Sequence, residues 1–412
     1  MNFQLEAYTE PGERFVALAE QHRAEVADRA AEHDRDGTFP FEAIESMKAS
    51  GFLSATVPVE LGGLGLTSAR DLAVGLGRLA RGDGSIAIAT NMHLVVAAFM
   101  ARTRAAALAA GEDTGSLDFT LQAISQGTIA MANVSEAGTD NRSPLATLTP
   151  TEGGWRLNGR KIFGTLSPVA DVFLVSCRSE AADGTPELRF AFVLRGTDGL
   201  VIQDNWDAMG MRASGSHDIV YDDVFVPANM VDEPRPWGLE GENNIVTATA
   251  GNFGLYGAFL GIAERAQELA IHTATTRTKA PSGRPIAERH GIQRLIAESE
   301  IDLAVCRSLV GHVGRLVDRV VMGEPAGTVP LAELQAVNAE SQATKLEVNR
   351  RAIDIVDRAL TVSGGAGYYS KNELSRLYRD VRAGPFMQPY SPNEAYEYIG
   401  KVTLGLDPTI DG

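Results

Sequence analysis

Two groups of side chains near the middle of the sequence could bind a flat or anionic ligand. Ser135, Gly138 and Thr139 follow an apolar stretch and predict a short loop that offers hydroxyl and backbone N–H groups. Phe163 and Thr165 lie further along. An aromatic side chain so close to a hydroxyl could cover one face of a ring while the hydroxyl bonds the ring's edge. Together the two groups predict a binding site for a planar ligand.

Asn158-Gly159 lies between these two groups. The pair stands among apolar residues that alternate with polar ones, and both central residues of a type I′ turn need a positive φ, which Asn-Gly supplies. We therefore expect a β-hairpin that turns at Asn158-Gly159.

Composition and charge argue against several classes of protein. The chain has 412 residues, 44% of them hydrophobic, which is enough for two or three domains. Its net charge of −16 opposes binding to nucleic acid or to an anionic membrane. The sequence indicates neither a signal peptide nor a transmembrane run. Cys177 and Cys306 are distant and form no Cys-x-x-Cys motif, so we expect a cytoplasmic protein without a disulfide framework or a metal site.

Hydrophobic periodicity divides the chain into three parts. Residues 1–125 have the helical period, and residues 126–235 contain short β-branched and aromatic runs that predict strands. Residues 236–412 return to the helical period, with apolar residues repeated every seventh position as in a helical bundle. We expect a β domain between two helical domains.

Two further features have an ordinary structural interpretation. His93 lies in an apolar helix predicted to begin at the N-cap Ser85, where a histidine is more often a hydrogen-bonded core residue than a catalyst. The run Ser-Gly-Gly-Ala-Gly at 363–367 predicts the end of a long helix. Its glycines would also let the backbone approach a pyrophosphate closely.

With these motifs in this order, the sequence resembles the acyl-CoA dehydrogenase superfamily of flavoenzymes over nearly its whole length. The resemblance rests on the segments 135–140, 161–171, 209–216 with 223–227, 364–367 and 376–382. The segment Met-Gly-Met-Arg-Ala-Ser-Gly-Ser at 209–216, with Asp-Val-Phe-Val-Pro at 223–227, is the most specific. The resemblance implies an α+β fold: an N-terminal helical domain, a small β-barrel-like central domain and a C-terminal four-helix bundle.

The resemblance also implies a flavin cofactor, FAD, with FMN or a reduced flavin from a reductase as alternatives. Thr165 matches the hydroxyl that bonds flavin N5, while Ser135 and Thr139 would bond the ring edge and a phosphate. Arg277 matches the arginine that reaches the cofactor pyrophosphate of a neighbouring subunit. The cofactor-binding residues expected on this basis are Ser135, Gly138, Thr139, Phe163, Thr165, Arg277, His290, Gly364, Gly365 and Gly367.

The substrate side departs from the family pattern. Dehydrogenation of an acyl thioester needs a carboxylate to remove the α-proton, and glutamine cannot act as that base. Gln388 nevertheless stands at the position of the family's catalytic glutamate, and Gly251-Asn252 at the family's alternative base position. We expect Gln388 at the catalytic position, with Asn252 and Met387 as substrate contacts.

Two residues are candidates for a displaced base, His93 and Glu394. Ser391-Pro392 predicts a helix N-cap and first position, however, which favours Glu394 as a residue that stabilises the first turn through the helix dipole.

Two functions therefore compete. The first, placed slightly ahead because the pyrophosphate-binding features are retained, is α,β-desaturation of an acyl-CoA or carrier-protein thioester, with an electron-transfer partner. The second is a reduced-flavin monooxygenase served by a flavin reductase, which the segments 37–40, 56–63, 92–93 and 215–218 resemble. A non-catalytic scaffold is disfavoured, because the flavin-side residues persist. The heptad stripe and Arg277 together predict a homotetramer.

Overall fold

A computed structural model describes residues 3–323, 327–387 and 389–409 of the chain. The first part is helical, with α1 (Glu10–Asp36), α2 (Phe41–Ser50), α3 (Ala69–Ala80), α4 (Gly84–Ala110) and α5 (Gly115–Ser125). Asp83 caps α4, because its carboxylate accepts the Ser85 N–H at 2.7 Å. The prediction that Ser85 is the cap is therefore wrong.

The central part is a sheet. Its strands are β1 (Ala130–Asn133), β2 (Thr147–Thr151), β3 (Gly154–Gly164), β4 (Val172–Glu180), β5 (Pro186–Leu194), β6 (Leu200–Ile202), β7 (His217–Pro227) and β8 (Arg235–Pro236). They pair in the order β6-β7-β3-β2-β4-β5-β8, and β1 pairs parallel to β4. This arrangement places the end of β3 beside the start of β7, where Gly164 pairs with His217.

The predicted hairpin turn at Asn158-Gly159 is wrong. The antiparallel strands β2 and β3 are instead joined at the last pair of their ladder, Thr151 with Gly154, whereas Asn158 pairs with Thr147 at the other end. Asn158-Gly159 lies inside β3 at an irregularity in its pairing with β7. A Cβ atom on Gly159 would lie 2.5 Å from the Cβ atom of Ala146, so this glycine permits a close approach of two backbones.

The C-terminal part is helical. It contains α6 (Glu242–Val246), α7 (Asn252–Thr276), α8 (His290–Val317), α9 (Leu331–Ser363), α10 (Glu373–Asp380) and α11 (Pro392–Leu404). Two π-helical segments lie at helix junctions, Thr247–Gly251 before α7 and Asp318–Met322 after α8. A short pairing of β9 (Thr278–Lys279) with β10 (Arg284–Pro285) separates α7 from α8. Helix α9 packs against α7, α8 and α11.

Close packing of α3 against α7 joins the N-terminal and C-terminal parts. A Cβ atom on Gly257 would lie 1.8 Å from the Ala73 carbonyl oxygen, and one on Gly261 would lie 2.1 Å from that of Gly77. The helices Gly84–Ala110 and Asn244–Thr276 are long and apolar enough to cross a membrane, but 72% and 83% of their most apolar windows are buried. These two helices therefore serve as core helices.

The predicted order of a helical part, a β part and a second helical part is confirmed. Cys177 and Cys306 are both free and buried. Burial raises the pKa of each thiol to about 12, which keeps both protonated at neutral pH.

Candidate functional site

The loop after β1 runs beside β3. The Ser135 carbonyl accepts the Ile162 N–H at 2.9 Å, and Gly138 has a φ of 82°. The Thr139 hydroxyl donates to the Ser143 carbonyl at 2.5 Å, so it closes the loop on itself. Ser135 therefore lies next to β3, the strand that contains Phe163 and that Thr165 directly follows.

A buried ion pair that the sequence analysis missed holds this loop. Lys161 Nζ lies 2.5 Å from Glu136 Oε1, and the same carboxylate accepts the backbone N–H groups of Leu145 and Ala146 at 2.8 and 3.1 Å. Lys161 also donates to the Ser176 hydroxyl at 2.9 Å. Burial lowers the pKa of Lys161, and the Glu136 carboxylate opposes that shift. A lysine within an otherwise strand-like run was the available sequence signal.

Three hydroxyl groups meet at the end of β3. Thr165 Oγ1 lies 2.8 Å from Ser216 Oγ, and Ser216 Oγ lies 2.6 Å from Ser214 Oγ. Ser214 and Ser216 are buried, whereas Thr165 is only half-buried. This serine segment matches a family motif in the sequence, but no sequence pattern connects it to Thr165.

The backbone around these hydroxyls is held in an unusual conformation. Phe163, Leu166 and Met211 have positive φ values of 53°, 74° and 52°. Residues other than glycine rarely adopt such values, and they persist where surrounding structure enforces them. The Leu166 N–H donates to the Ser214 carbonyl at 3.1 Å, which joins the two segments directly.

An aromatic pair flanks the same position. The rings of Phe163 and Trp206 meet edge to face, with centroids 6.0 Å apart, and Phe163 is 59% exposed. Trp206 donates its indole N–H to the Met211 carbonyl at 3.0 Å. Trp206 was missed, because it lies in the segment between β6 and β7 and no local motif connects it to Phe163.

A buried charge cluster connects this segment to both helical parts. The Asp380 carboxylate accepts the Met211 N–H at 2.7 Å. Arg376 Nη1 lies 3.8 Å from Asp83 and 3.7 Å from Asp380, distances that allow ionic attraction but are too long for hydrogen bonds. Burial raises the pKa of Asp380 to about 7, although the Arg376 charge opposes the rise.

The residues predicted to hold the cofactor tail form a second neighbourhood. Arg277 donates to the Ser363 carbonyl at 2.6 Å, and a Cβ atom on Gly364, which has a φ of 58°, would lie 3.4 Å from the guanidinium. Gly365 and Gly367 follow in a 3₁₀ turn. His290 is exposed at the start of α8. The structure thus brings Arg277 and the glycine turn together within one chain.

The structure gives His93 a core role. Its Nε2 atom lies 3.0 Å from the Leu53 carbonyl, and its Nδ1 atom lies 3.1 Å from both the N–H and the carbonyl of Ala130. The side chain is fully buried, and burial lowers its pKa. Because both ring nitrogens are engaged with backbone, this geometry does not favour His93 as a displaced base.

Glu394 is part of a helix cap. Its carboxylate accepts the Ser391 N–H at 2.5 Å, while the Ser391 hydroxyl accepts the Glu394 N–H at 3.5 Å, which together form a capping box. The interpretation of Ser391-Pro392 as a helix start is confirmed. A carboxylate committed to this cap is a poor candidate for the base.

The side chain of Lys345 anchors the residues that flank Gln388. Gln388 itself lies outside the described residues. The buried Lys345 ammonium donates to the carbonyl groups of Met387 and Tyr390, on either side of it. Burial lowers the pKa of Lys345 to about 8. The predicted substrate residue Met387 is half-buried.

An apolar pocket lies between α3, α4 and the π-helical segment before α7. Its apolar lining includes Leu66, Val95, Phe99, Val246 and Met322. Gly251 also lines it, next to Asn252, whose amide donates to the Thr247 and Ala248 carbonyls at 3.2 and 3.3 Å. Among the described residues the lining contains no carboxylate, and its charged member is Arg102, which donates to the Val321 carbonyl.

The sequence matches family models for all three parts of one fold. These are the acyl-CoA dehydrogenase N-terminal domain at residues 16–107, the middle domain at 128–224 and the C-terminal domain at 247–388. The chain belongs to the acyl-CoA dehydrogenase family. It is a flavoprotein oxidoreductase with that three-part fold, and the expected flavin cofactor is supported as either FAD or FMN.

Similar proteins include enzymes that act on amino sugars. The amino sugar nitrososynthase RubN8 of Streptomyces rubradiris is 34% identical over 402 residues, covering 97% of this chain and 92% of the relative. KijD3, solved with FMN and dTDP-3-amino-2,3,6-trideoxy-4-keto-3-methyl-D-glucose, is 32% identical with a TM-score of 0.88, covering 98% and 96% of the two chains. A nitrososynthase from Micromonospora carbonacea var. africana is 31% identical with a TM-score of 0.87, covering 98% and 100%.

Proposed function

We propose that this protein is a flavin-dependent monooxygenase that oxidises the amino group of a nucleotide-linked amino sugar to a nitroso group. The similarity to amino sugar nitrososynthases over almost the whole chain is the observation that carries this proposal. It brings the monooxygenase alternative ahead of thioester desaturation.

The chemistry of the substrate pocket supports oxygen transfer to nitrogen. Desaturation of a thioester needs a carboxylate near the α-carbon. A neutral amine already carries the lone pair that attacks an electrophilic oxygen, so its oxidation needs no carbon acid to be deprotonated. Asn252 at the family's alternative base position, and a pocket lining without a carboxylate among its described members, are consistent with that requirement.

The pocket would also keep the amine unprotonated. Apolar walls disfavour an ammonium ion, and a nearby cation disfavours it further. Arg102 lines the pocket and supplies such a charge, although Glu242, 3.8 Å from the guanidinium, offsets part of it. A sugar that lacks several hydroxyl groups suits walls such as Val95 and Phe99 better than a fully hydroxylated sugar does.

The residues at the end of β3 fit a flavin. When bound and reduced, a flavin supplies two electrons and activates O₂. Phe163 offers an exposed aromatic face, Thr165 a half-buried hydroxyl, and the Ser135–Thr139 loop further polar groups. If the cofactor is FAD, Arg277 and the Gly364 turn would hold its pyrophosphate. If it is FMN, a separate reductase would deliver it reduced.

Three wider expectations remain part of this proposal. We place the domain boundaries at 1–125, 126–235 and 236–412. We also propose a homotetramer, in which Arg277 serves the cofactor of a neighbouring subunit, and a cytoplasmic location.

The function is tested by supplying the enzyme with FMN, NADH, a flavin reductase, O₂ and the KijD3 ligand dTDP-3-amino-2,3,6-trideoxy-4-keto-3-methyl-D-glucose. Mass spectrometry is expected to show conversion of the amine first to a hydroxylamine and then to a nitroso sugar. The matched control is the same nucleotide sugar with a hydroxyl in place of the amine, which should stay unchanged. Anaerobic bleaching of enzyme-bound oxidised flavin by butyryl-CoA, with no turnover of the amino sugar, would instead establish desaturation.

A further inference from the structure

The hydroxyl groups of Ser214, Ser216 and Thr165 form a chain that runs from the core to the surface. The Ser214 end is fully buried, Ser216 is 3% exposed, and Thr165 is half-buried at the outer end. The successive oxygen–oxygen distances are 2.6 and 2.8 Å, both ordinary for O–H···O hydrogen bonds. Each hydroxyl has a single hydrogen to donate, so the direction of the chain depends on its buried end.

The surroundings of Ser214 fix that direction. In the part of the chain that the structure describes, the Ser214 hydroxyl has Ser216 as its hydrogen-bond partner and no acceptor beyond it. If the chain pointed inward, the Ser214 hydrogen would be buried without an acceptor, which is unfavourable. Ser214 therefore donates to Ser216, and Ser216 donates to Thr165. The Thr165 oxygen accepts, so its own hydrogen is turned away from Ser216.

Two features make this chain stiff enough to act on a ligand. The Leu166 N–H donates to the Ser214 carbonyl and joins the two segments, and the Met211 N–H is fixed by Asp380. Among the described residues, the acceptor that competes for the Thr165 hydrogen is the Phe163 carbonyl at 3.5 Å, which makes a poor hydrogen bond. The remaining direction for the Thr165 hydrogen is outward.

We propose that Ser216, oriented by Ser214, is a positioning residue that presents Thr165 as a hydrogen-bond donor and thereby favours oxidised over reduced flavin. Flavin N5 accepts a hydrogen bond when the ring is oxidised and carries its own hydrogen when the ring is reduced. A donor held in place therefore stabilises the oxidised form selectively. This inference rests on the flavin site of the proposed function and is independent of which substrate is oxygenated.

The test measures dissociation constants for FMN and for anaerobically reduced FMN in wild-type protein and in Ser216→Ala. One oriented neutral hydrogen bond is worth about threefold to tenfold in affinity. Ser216→Ala is therefore expected to weaken binding of oxidised FMN, relative to reduced FMN, by about that factor. Ser216→Thr, which keeps the hydroxyl, should restore the wild-type ratio, and Ser214→Ala should shift it in the same direction as Ser216→Ala.

Two controls separate positioning from a general structural effect. Ser167 is buried in the same pair of segments, but its hydroxyl donates to the Gly215 carbonyl at 3.0 Å and does not join the chain. Ser167→Ala should leave the ratio unchanged. In a Thr165→Val background, Ser216→Ala should have no further effect on the ratio, because the outer hydroxyl is already gone.

The outcomes are distinguishable. An unchanged ratio in Ser216→Ala, with both forms of FMN still bound, would overturn the proposal and leave the flavin site intact. An equal shift in Ser167→Ala would overturn it in favour of a structural effect. Failure of the wild-type protein to bind either form would overturn the flavin site itself, and the positioning role with it.

Discussion

Lys161 and Glu136 form a buried ion pair in which Nζ lies 2.5 Å from Oε1. The pair joins strand β3 to the loop of Ser135 and Thr139, because the same carboxylate accepts two backbone N–H groups of that loop. A buried charge that loses its partner is far more unfavourable than a pair that is removed together.

We therefore predict that Glu136→Gln lowers the free energy of unfolding by about 3–5 kcal/mol. Replacing both residues, by Lys161→Met with Glu136→Gln, should recover most of that loss. Urea unfolding of the three proteins measures the effect. If the double variant were as unstable as the single variant, the carboxylate would act through the loop and not through the buried charge.

The second prediction concerns pH. The pKa of Asp380 is about 7 in the folded protein, well above the unfolded value near 3.9. The folded state therefore binds more protons between these values, and the carboxyl group lowers stability progressively as the pH rises from about 4 to 7. One such group contributes a slope of at most about 1.4 kcal/mol per pH unit. Asp380→Asn should flatten this slope.

Urea unfolding between pH 5 and 8 is the measurement for this variant. Asp183→Asn is the matched control, since Asp183 is an exposed carboxylate in the turn between β4 and β5. The same slope in wild type and Asp380→Asn would contradict the assignment and would point to Asp83, the other buried carboxylate beside Arg376.

The third prediction concerns the packing of α3 against α7. Gly257→Ala would bring a methyl group against the Ala73 carbonyl oxygen, so it should destabilise the protein by about 1–3 kcal/mol. Gly400→Ala in α11 meets no heavy atom within 4 Å and should be neutral or stabilise by up to about 1 kcal/mol. Thermal unfolding of both variants compares them. Equal melting temperatures of the two variants would show that α3 and α7 can move apart without loss of stability.

The fourth prediction distinguishes FAD from FMN. Arg277→Ala removes a charge-assisted contact to a pyrophosphate, so it should lower FAD affinity by about tenfold to a hundredfold. FMN has no pyrophosphate, so its affinity should not change. Equilibrium dialysis with each flavin measures this difference. Arg284→Ala, an exposed arginine in the adjacent β10, is the control. An equal effect on both flavins would indicate that Arg277 acts by capping α9 through the Ser363 carbonyl.

Much of the fold was predictable, because it follows from local patterns. The change from helical to strand periodicity placed the β part, and Ser391-Pro392 predicted the start of α11. The turn predicted at Asn158-Gly159 is wrong because Gly159 permits a close tertiary contact with Ala146. That contact outweighs the local turn preference. The pairing of β3 with β7 sets the contact of Thr165 with Ser216, and no spacing within the sequence could reveal it.

The central claim is that oxygen from O₂ is transferred to the nitrogen of an amino sugar. The most direct test is turnover of the KijD3 ligand by this enzyme with reduced FMN under ¹⁸O₂. The account predicts a nitroso sugar that carries one ¹⁸O atom, and no ¹⁸O when the label is supplied as water to a reaction under ordinary O₂ and the product is analysed promptly. A product without ¹⁸O from ¹⁸O₂, together with anaerobic reduction of enzyme-bound flavin by an acyl-CoA, would contradict it.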